Sequence, residues 1–146
     1  PIVEESIYRH LGWDLGPSVP SQVLALQLLP HLDDIAAERR RRLRAAVDAA
    51  LAQLGGAIPE AMTVRPDGGS VLWARFPVDD STALVDMARR HGVRVAPGSI
   101  HAVGKAPGPF VRIDVDRPPG VVAEGIERLA RAWRDRAGKA PARDSR

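Results

Sequence analysis

The chain has 146 residues and a mass of 15.7 kDa, with 45% apolar and 27% charged residues, which suits one globular domain and excludes a disordered polymer. It contains no cysteine, which rules out disulfide scaffolds, cysteine-ligated metal centres and thiol catalysis. The formal charge of +3 is accounted for by residues 134–146, where five basic side chains face two acidic ones; the rest of the chain is neutral, so a basic nucleic-acid-binding surface is not expected.

The opening stretch Pro1-Ile2-Val3-Glu4-Glu5 is acidic and amphipathic and does not read as a signal peptide, and a cytoplasmic location is expected. A chain starting on proline also suggests a longer gene product. Residues 2–11 could form a short helix ended by Gly12, followed by a loop marked by Gly16, Pro17 and Pro20. Residues 19–29 carry Val23, Leu24, Ala25, Leu26, Leu28 and Leu29, apolar on nearly every side, and predict a helix buried all round, either by the domain itself or, the preferred reading, against something outside this chain. From 33 to 54 the stripe Ile35, Ala36, Leu43, Ala46, Val47, Ala50, Leu51 and Leu54, extended back by Leu32, predicts a long one-sided helix stopped by Gly55-Gly56. Arg39, Arg40, Arg41, Arg42 and Arg44 crowd its other faces and read as a solvated surface.

Strand and helix then alternate. Residues 70–76 read as a strand, preceded by the turn Pro66-Asp67-Gly68-Gly69 and a short partner at 62–64. Asp79 or Asp80 can cap a helix bearing Leu84, Val85 and Ala88, closed by His91-Gly92. Residues 93–96 form a short strand, 97–109 a Gly/Pro-rich loop and 110–115 the next strand. Pro118-Pro119 opens a last helix with Val122, Ile126, Leu129, Ala130 and Trp133 on one side. The expected fold class is α+β: a sheet of about three to four strands with helices packed on it. The expected divisions are residues 1–30 as a helical segment, 31–137 as the folded domain and 138–146 as a disordered tail.

Arg112 is the leading candidate for chemistry. Alternation in 110–115 places Val111, Ile113 and Val115 on one face and Arg112 on the other, with Phe110 and Asp114. A guanidinium there either pairs with Asp114 or receives an anionic ligand, and its planar fork suits a carboxylate. The second candidate is the loop Pro97, Gly98, Ser99, Ile100 and His101, which offers backbone N–H groups, a hydroxyl and an imidazole. Gly68 and Gly69 allow close approach of a ligand or form an ordinary hairpin turn; Trp73 reads as core or interface. No G-x-S-x-G, H-E-x-x-H, P-loop or G-x-G-x-x-G occurs, and the four histidines have no metal-ligand spacing.

Three segments resemble a known family. Residues 66–77, PDGGSVLWARFP, resemble the GG-x-x-x-W-x-x-x-P strand of fold-type I, class I/II aminotransferases. Residues 91–99, HGVRVAPGS, are similar to the family's GV-x-V-x-PGS loop, and 110–115, FVRIDV, to its (Y/F)-(I/V)-R-L strand. With the 20–29 segment and the Arg-rich helix, the likeness extends over residues 3–133 and is greatest to the aminotransferase-like half of GntR/MocR-type transcriptional regulators. The resemblance implies a C-terminal small domain preceded by an inter-domain helix. Arg112 would bind a substrate α-carboxylate, while Pro97, Gly98, Ser99, Ile100, Gly68 and Gly69 would line the cleft.

The resemblance further implies pyridoxal phosphate in the intact protein, an amino-acid or other α-carboxylate ligand, a large domain outside this chain, a homodimer and no membrane. DNA would be met only through a separate N-terminal domain. Neither Lys105 nor Lys139 matches the family's Schiff-base lysine, so the isolated chain is expected to be inert and to hold no cofactor. The alternative is a free-standing small-molecule-binding or dimerisation domain without catalysis.

Overall fold

In the computed structural model, residues 18–102 and 108–137 are described below. The expected helix at 2–11 and the tail at 138–146 lie outside them. The chain divides into two compact units, Pro1–Arg39 and Arg40–Arg146.

In the first unit, helix α1 (Val19–Leu28) starts with proline in its first turn, where the missing N–H costs nothing. Pro30 cannot continue it, and the 3-10 turn Leu29–His31 follows. The domain does not bury this helix itself: no residue of α1 is buried within the chain, and Val19, Val23, Leu24, Leu26 and Leu28 are exposed.

Helix α2 (Leu32–Ala57) begins with Asp33 and Asp34 in its first turn, where acidic side chains complement the helix dipole. Only the later part of its apolar stripe is covered: Val47, Ala50 and Leu54 are buried, whereas Leu32 and Ile35 are exposed. The helix does not stop at Gly55-Gly56 but runs through both to Ala57. Two glycines lower helix propensity without forbidding the conformation. The break comes at Pro59, which disfavours a helical Ile58, and Ile58 is itself fully buried. Space is open around a Cβ at Gly55 or Gly56. Gly56→Ala is therefore expected to raise stability by about 0.4–1 kcal/mol, read as an increased urea midpoint.

The second unit contains a four-stranded antiparallel sheet of order β1-β2-β4-β3, as the α+β reading requires. Strand β1 (Met62–Thr63) pairs with β2 (Val71–Arg75), and β2 with β4 (Phe110–Asp114). The edge strand is only Ala96–Pro97 (β3), shorter and later than the expected 93–96. The N–H of Val93 closes the preceding helix by donating to Ala88 O at 3.0 Å, and Pro97 has no N–H with which to extend the ladder.

Leu72, Ala74, Val111 and Ile113 point to the inner face of the sheet. They form one cluster with Val47, Ala50 and Leu54 of α2, Leu84, Val85 and Ala88 of α3 (Thr82–Arg90), and Ile126, Leu129, Ala130 and Trp133 of α4 (Pro119–Ala137). The N-cap of α3 is Ser81, and Asp80 just before it accepts a hydrogen bond from the first-turn N–H of Thr82 at 3.0 Å. Gly92, at φ 76°, closes that helix in the left-handed region.

Ser81 is fully buried, and its Oγ donates to the Phe110 carbonyl at 2.7 Å, tying the start of α3 to β4. Ser81→Ala leaves that carbonyl without this donor. An unfolding free energy lower by about 1–3 kcal/mol is expected in urea denaturation.

Candidate functional site

The outer face of the sheet carries the functional candidates. Residues directly opposite in an antiparallel ladder project to the same side, so Trp73 of β2, Arg112 of β4 and Ala96 of β3 form one row. A neighbouring row contains Met62, Arg75 and Phe110. Met62, Trp73 and Phe110 are exposed, leaving an apolar surface around the half-buried Arg112.

The alternation of β4 requires this arrangement: Val111, Ile113 and Val115 are buried, while Arg112 lies on the other side with Phe110 and Asp114. Asp114 does not pair with Arg112. Its carboxylate lies 3.6 Å from Arg117 Nε and accepts the Asp116 N–H at 3.0 Å. Among the described residues, no hydrogen bond or ion pair reaches Arg112. Its guanidinium is therefore available to an anion.

Beside this row the 3-10 turn Gly98–His101 follows β3. A cavity of about 470 Å³ is lined by Trp73, Gly98, Ser99, His101, Pro109 and Phe110. Gly98 is required by close packing, since a Cβ there would lie 2.9 Å from Phe110 Cβ and 3.0 Å from Phe110 O. His101 meets the Trp73 ring edge-on, with centroids 5.6 Å apart. The sheet register thus brings Gly98 and Ser99 near Trp73, which itself stands opposite Arg112. Pro97 contributes backbone to the ladder opposite Val111. Ile100 is exposed.

Gly68 and Gly69 lie elsewhere. They line a separate cavity with Arg40, Arg44 and Arg65. Trp73 is on the open face rather than in the core, a placement that the alternation of Leu72 and Ala74 already implies. Among the described residues, no group of histidines and carboxylates is positioned to bind a metal ion, and no helix is long and apolar enough to cross a membrane.

No family model and no curated protein matches the chain. Solved structures do. An α-aminoadipate aminotransferase of Thermus thermophilus, complexed with N-(5'-phosphopyridoxyl)-L-leucine, is similar at 24% identity and a TM-score of 0.81 over 95% of this chain and 37% of that one. A kynurenine aminotransferase of Pyrococcus horikoshii, in complex with PMP, is 25% identical with a TM-score of 0.77 over 92% and 35%. A multiple substrate aminotransferase of Thermococcus profundus is 22% identical with a TM-score of 0.69 over 75% and 28%. The chain has the fold of a segment of these aminotransferases and spans little more than a third of the length of the first two.

Proposed function

We propose that this chain is the C-terminal subdomain (residues 31–137, preceded by the helical segment 1–30) of a longer aminotransferase-like protein that uses pyridoxal phosphate. In this reading Arg112 holds the substrate's α-carboxylate. The observation that carries it is an arginine with no acidic partner among the described residues, set in the middle strand of an open sheet face, in a chain folded like part of an aminotransferase.

Neither lysine of the chain, Lys105 or Lys139, matches the family's Schiff-base lysine, and both lie outside the described residues. Binding of the cofactor is assigned to the rest of the parent. This chain contributes recognition. The Arg112 fork fixes the two carboxylate oxygens, Trp73 and Phe110 provide an apolar wall, and the Gly98–His101 turn closes one side. An apolar wall lowers the local dielectric and strengthens the charge-assisted bonds. The exposed apolar residues of α1 are consistent with a covering large domain or a second copy of the protein in a homodimer.

The parent is either an aminotransferase or a GntR/MocR-type regulator whose separate N-terminal domain meets DNA, in both cases cytoplasmic. A free-standing binding domain is the second reading. It is supported by the continuous core beneath the sheet and by the absence of buried unsatisfied side-chain polar atoms among the described residues.

The test is to purify the full-length product of the reading frame that encodes these residues. A protein far heavier than 15.7 kDa that carries a pyridoxal chromophore is expected. Amino-group transfer then identifies an enzyme, and amino-acid-dependent DNA binding identifies a regulator. A colourless product of this chain's own mass would overturn the proposal in favour of the second reading.

A further inference from the structure

The cavity at Gly68 and Gly69 has a chemistry of its own. Its volume is about 420 Å³, and it lies between α2 and the connection from β1 to β2. Arg40, Arg44 and Arg65 line it, with Leu43 and Val47 supplying apolar wall and Asp67 the one acidic side chain. Arg40 and Arg44 are four residues apart on one helix face, an arrangement in which like charges repel. Among the described residues neither has a hydrogen bond or ion pair, whereas Arg65 is engaged by Asp48.

Across from them the turn exposes main chain. No backbone hydrogen bond among the described residues uses the N–H of Gly68 or Gly69. A Cβ at either position would meet nothing within 4 Å, and Gly69 has φ 91°. The cavity therefore combines two unpaired guanidinium groups, approachable amide donors and apolar surface. Three arginines against one aspartate leave its lining positive.

We propose that this cavity binds a phosphoryl group, either as free phosphate or as the phosphate of a small organic ester, between the guanidinium groups of Arg40 and Arg44 and the amides of Gly68 and Gly69. A tetrahedral dianion offers each guanidinium fork a pair of oxygens and leaves further oxygens for backbone donors. Binding also relieves the repulsion between the two arginines. The site is independent of Arg112 and of the α-carboxylate reading, so either can fail without the other.

The test is a titration of the 146-residue chain, followed through its backbone amide resonances at constant ionic strength, with inorganic phosphate and with phenyl phosphate. Saturable shifts at Gly68 and Gly69 are expected. Arg40→Ala and Arg44→Ala should each weaken binding about tenfold or more. Arg94→Ala, which removes an exposed arginine outside the cavity, should leave it unchanged, and Asp67→Asn should tighten it several-fold. Tighter binding of phenyl phosphate identifies an ester ligand resting on Leu43 and Val47; equal binding identifies the free ion. Shifts that grow without saturating, or that persist undiminished in Arg44→Ala, would overturn the proposal.

Discussion

Arg112→Ala in the intact, cofactor-loaded parent is expected to weaken the binding of α-carboxylate substrates by about a hundredfold or more. A bidentate guanidinium–carboxylate pair makes two charge-assisted hydrogen bonds, each worth about 1.5–3 kcal/mol, and every 1.4 kcal/mol is roughly a tenfold change in affinity. Arg112→Lys restores the charge but not the fork and should recover only part of the loss.

The stability of the domain should change by no more than about 0.5 kcal/mol, because Arg112 has no partner to lose among the described residues. That contrast separates a binding arginine from a structural one. Amino-acid titration of the cofactor spectrum measures the first quantity and urea denaturation the second. Unchanged amino-acid affinity would defeat the assignment of Arg112, and a large loss of stability would make it structural.

Phe76→Ala is expected to cost about 3–5 kcal/mol, a large share of the roughly 5–15 kcal/mol that holds a domain folded. Phe76 is fully buried, and its ring packs at a tilt against Trp133 with centroids 5.2 Å apart. Its N–H donates to Pro109 O at 2.9 Å, so the side chain anchors the sheet to α4 where the backbone already joins the approach to β4. Phe76→Leu keeps much of the volume and should lose less. Urea midpoints of the two variants test this order, and an alanine variant as stable as the parent would show that the Phe76–Trp133 contact contributes little.

The inner face of the sheet was legible residue by residue. Alternation in 110–115 separates Val111, Ile113 and Val115 from Arg112, and the structure places them on opposite faces because successive side chains of a strand must alternate. The stripes of α3 and α4 were also plain: Leu84, Val85 and Ala88, and Ile126, Leu129, Ala130 and Trp133, are buried, although Val122 is only half-buried and Ala132, off the expected stripe, is fully buried.

Two expectations differ from the structure, for separate physical reasons. Gly55-Gly56 looked like a stop, but glycine only weakens a helix, and Pro59 ends it. The strand at 93–96 looked continuous, but the Val93 N–H is taken by Ala88, and pairing with β4 is confined to Ala96 and Pro97. For α1, hydropathy records what a side chain prefers and not what covers it; nothing in α1 is buried within the chain, so of the two readings of this helix the one in which the domain buries it itself does not hold.

Of the candidate site, local pattern alone determined that Arg112 must leave the core, that Gly68-Gly69 forms a turn, and that the chain turns away from the sheet at Gly98. These follow from side-chain period and from the backbone limits of glycine and proline, which act within a few residues. Only tertiary structure decided the neighbours. The β2–β4 register sets Trp73 opposite Arg112, and the β3–β4 pairing brings Gly98 against Phe110. Packing of α2 beside the β1–β2 connection puts Arg40 and Arg44, more than twenty residues away in sequence, around Gly68 and Gly69. Such pairings depend on how strands and helices close on one another, and no short stretch of sequence carries that information.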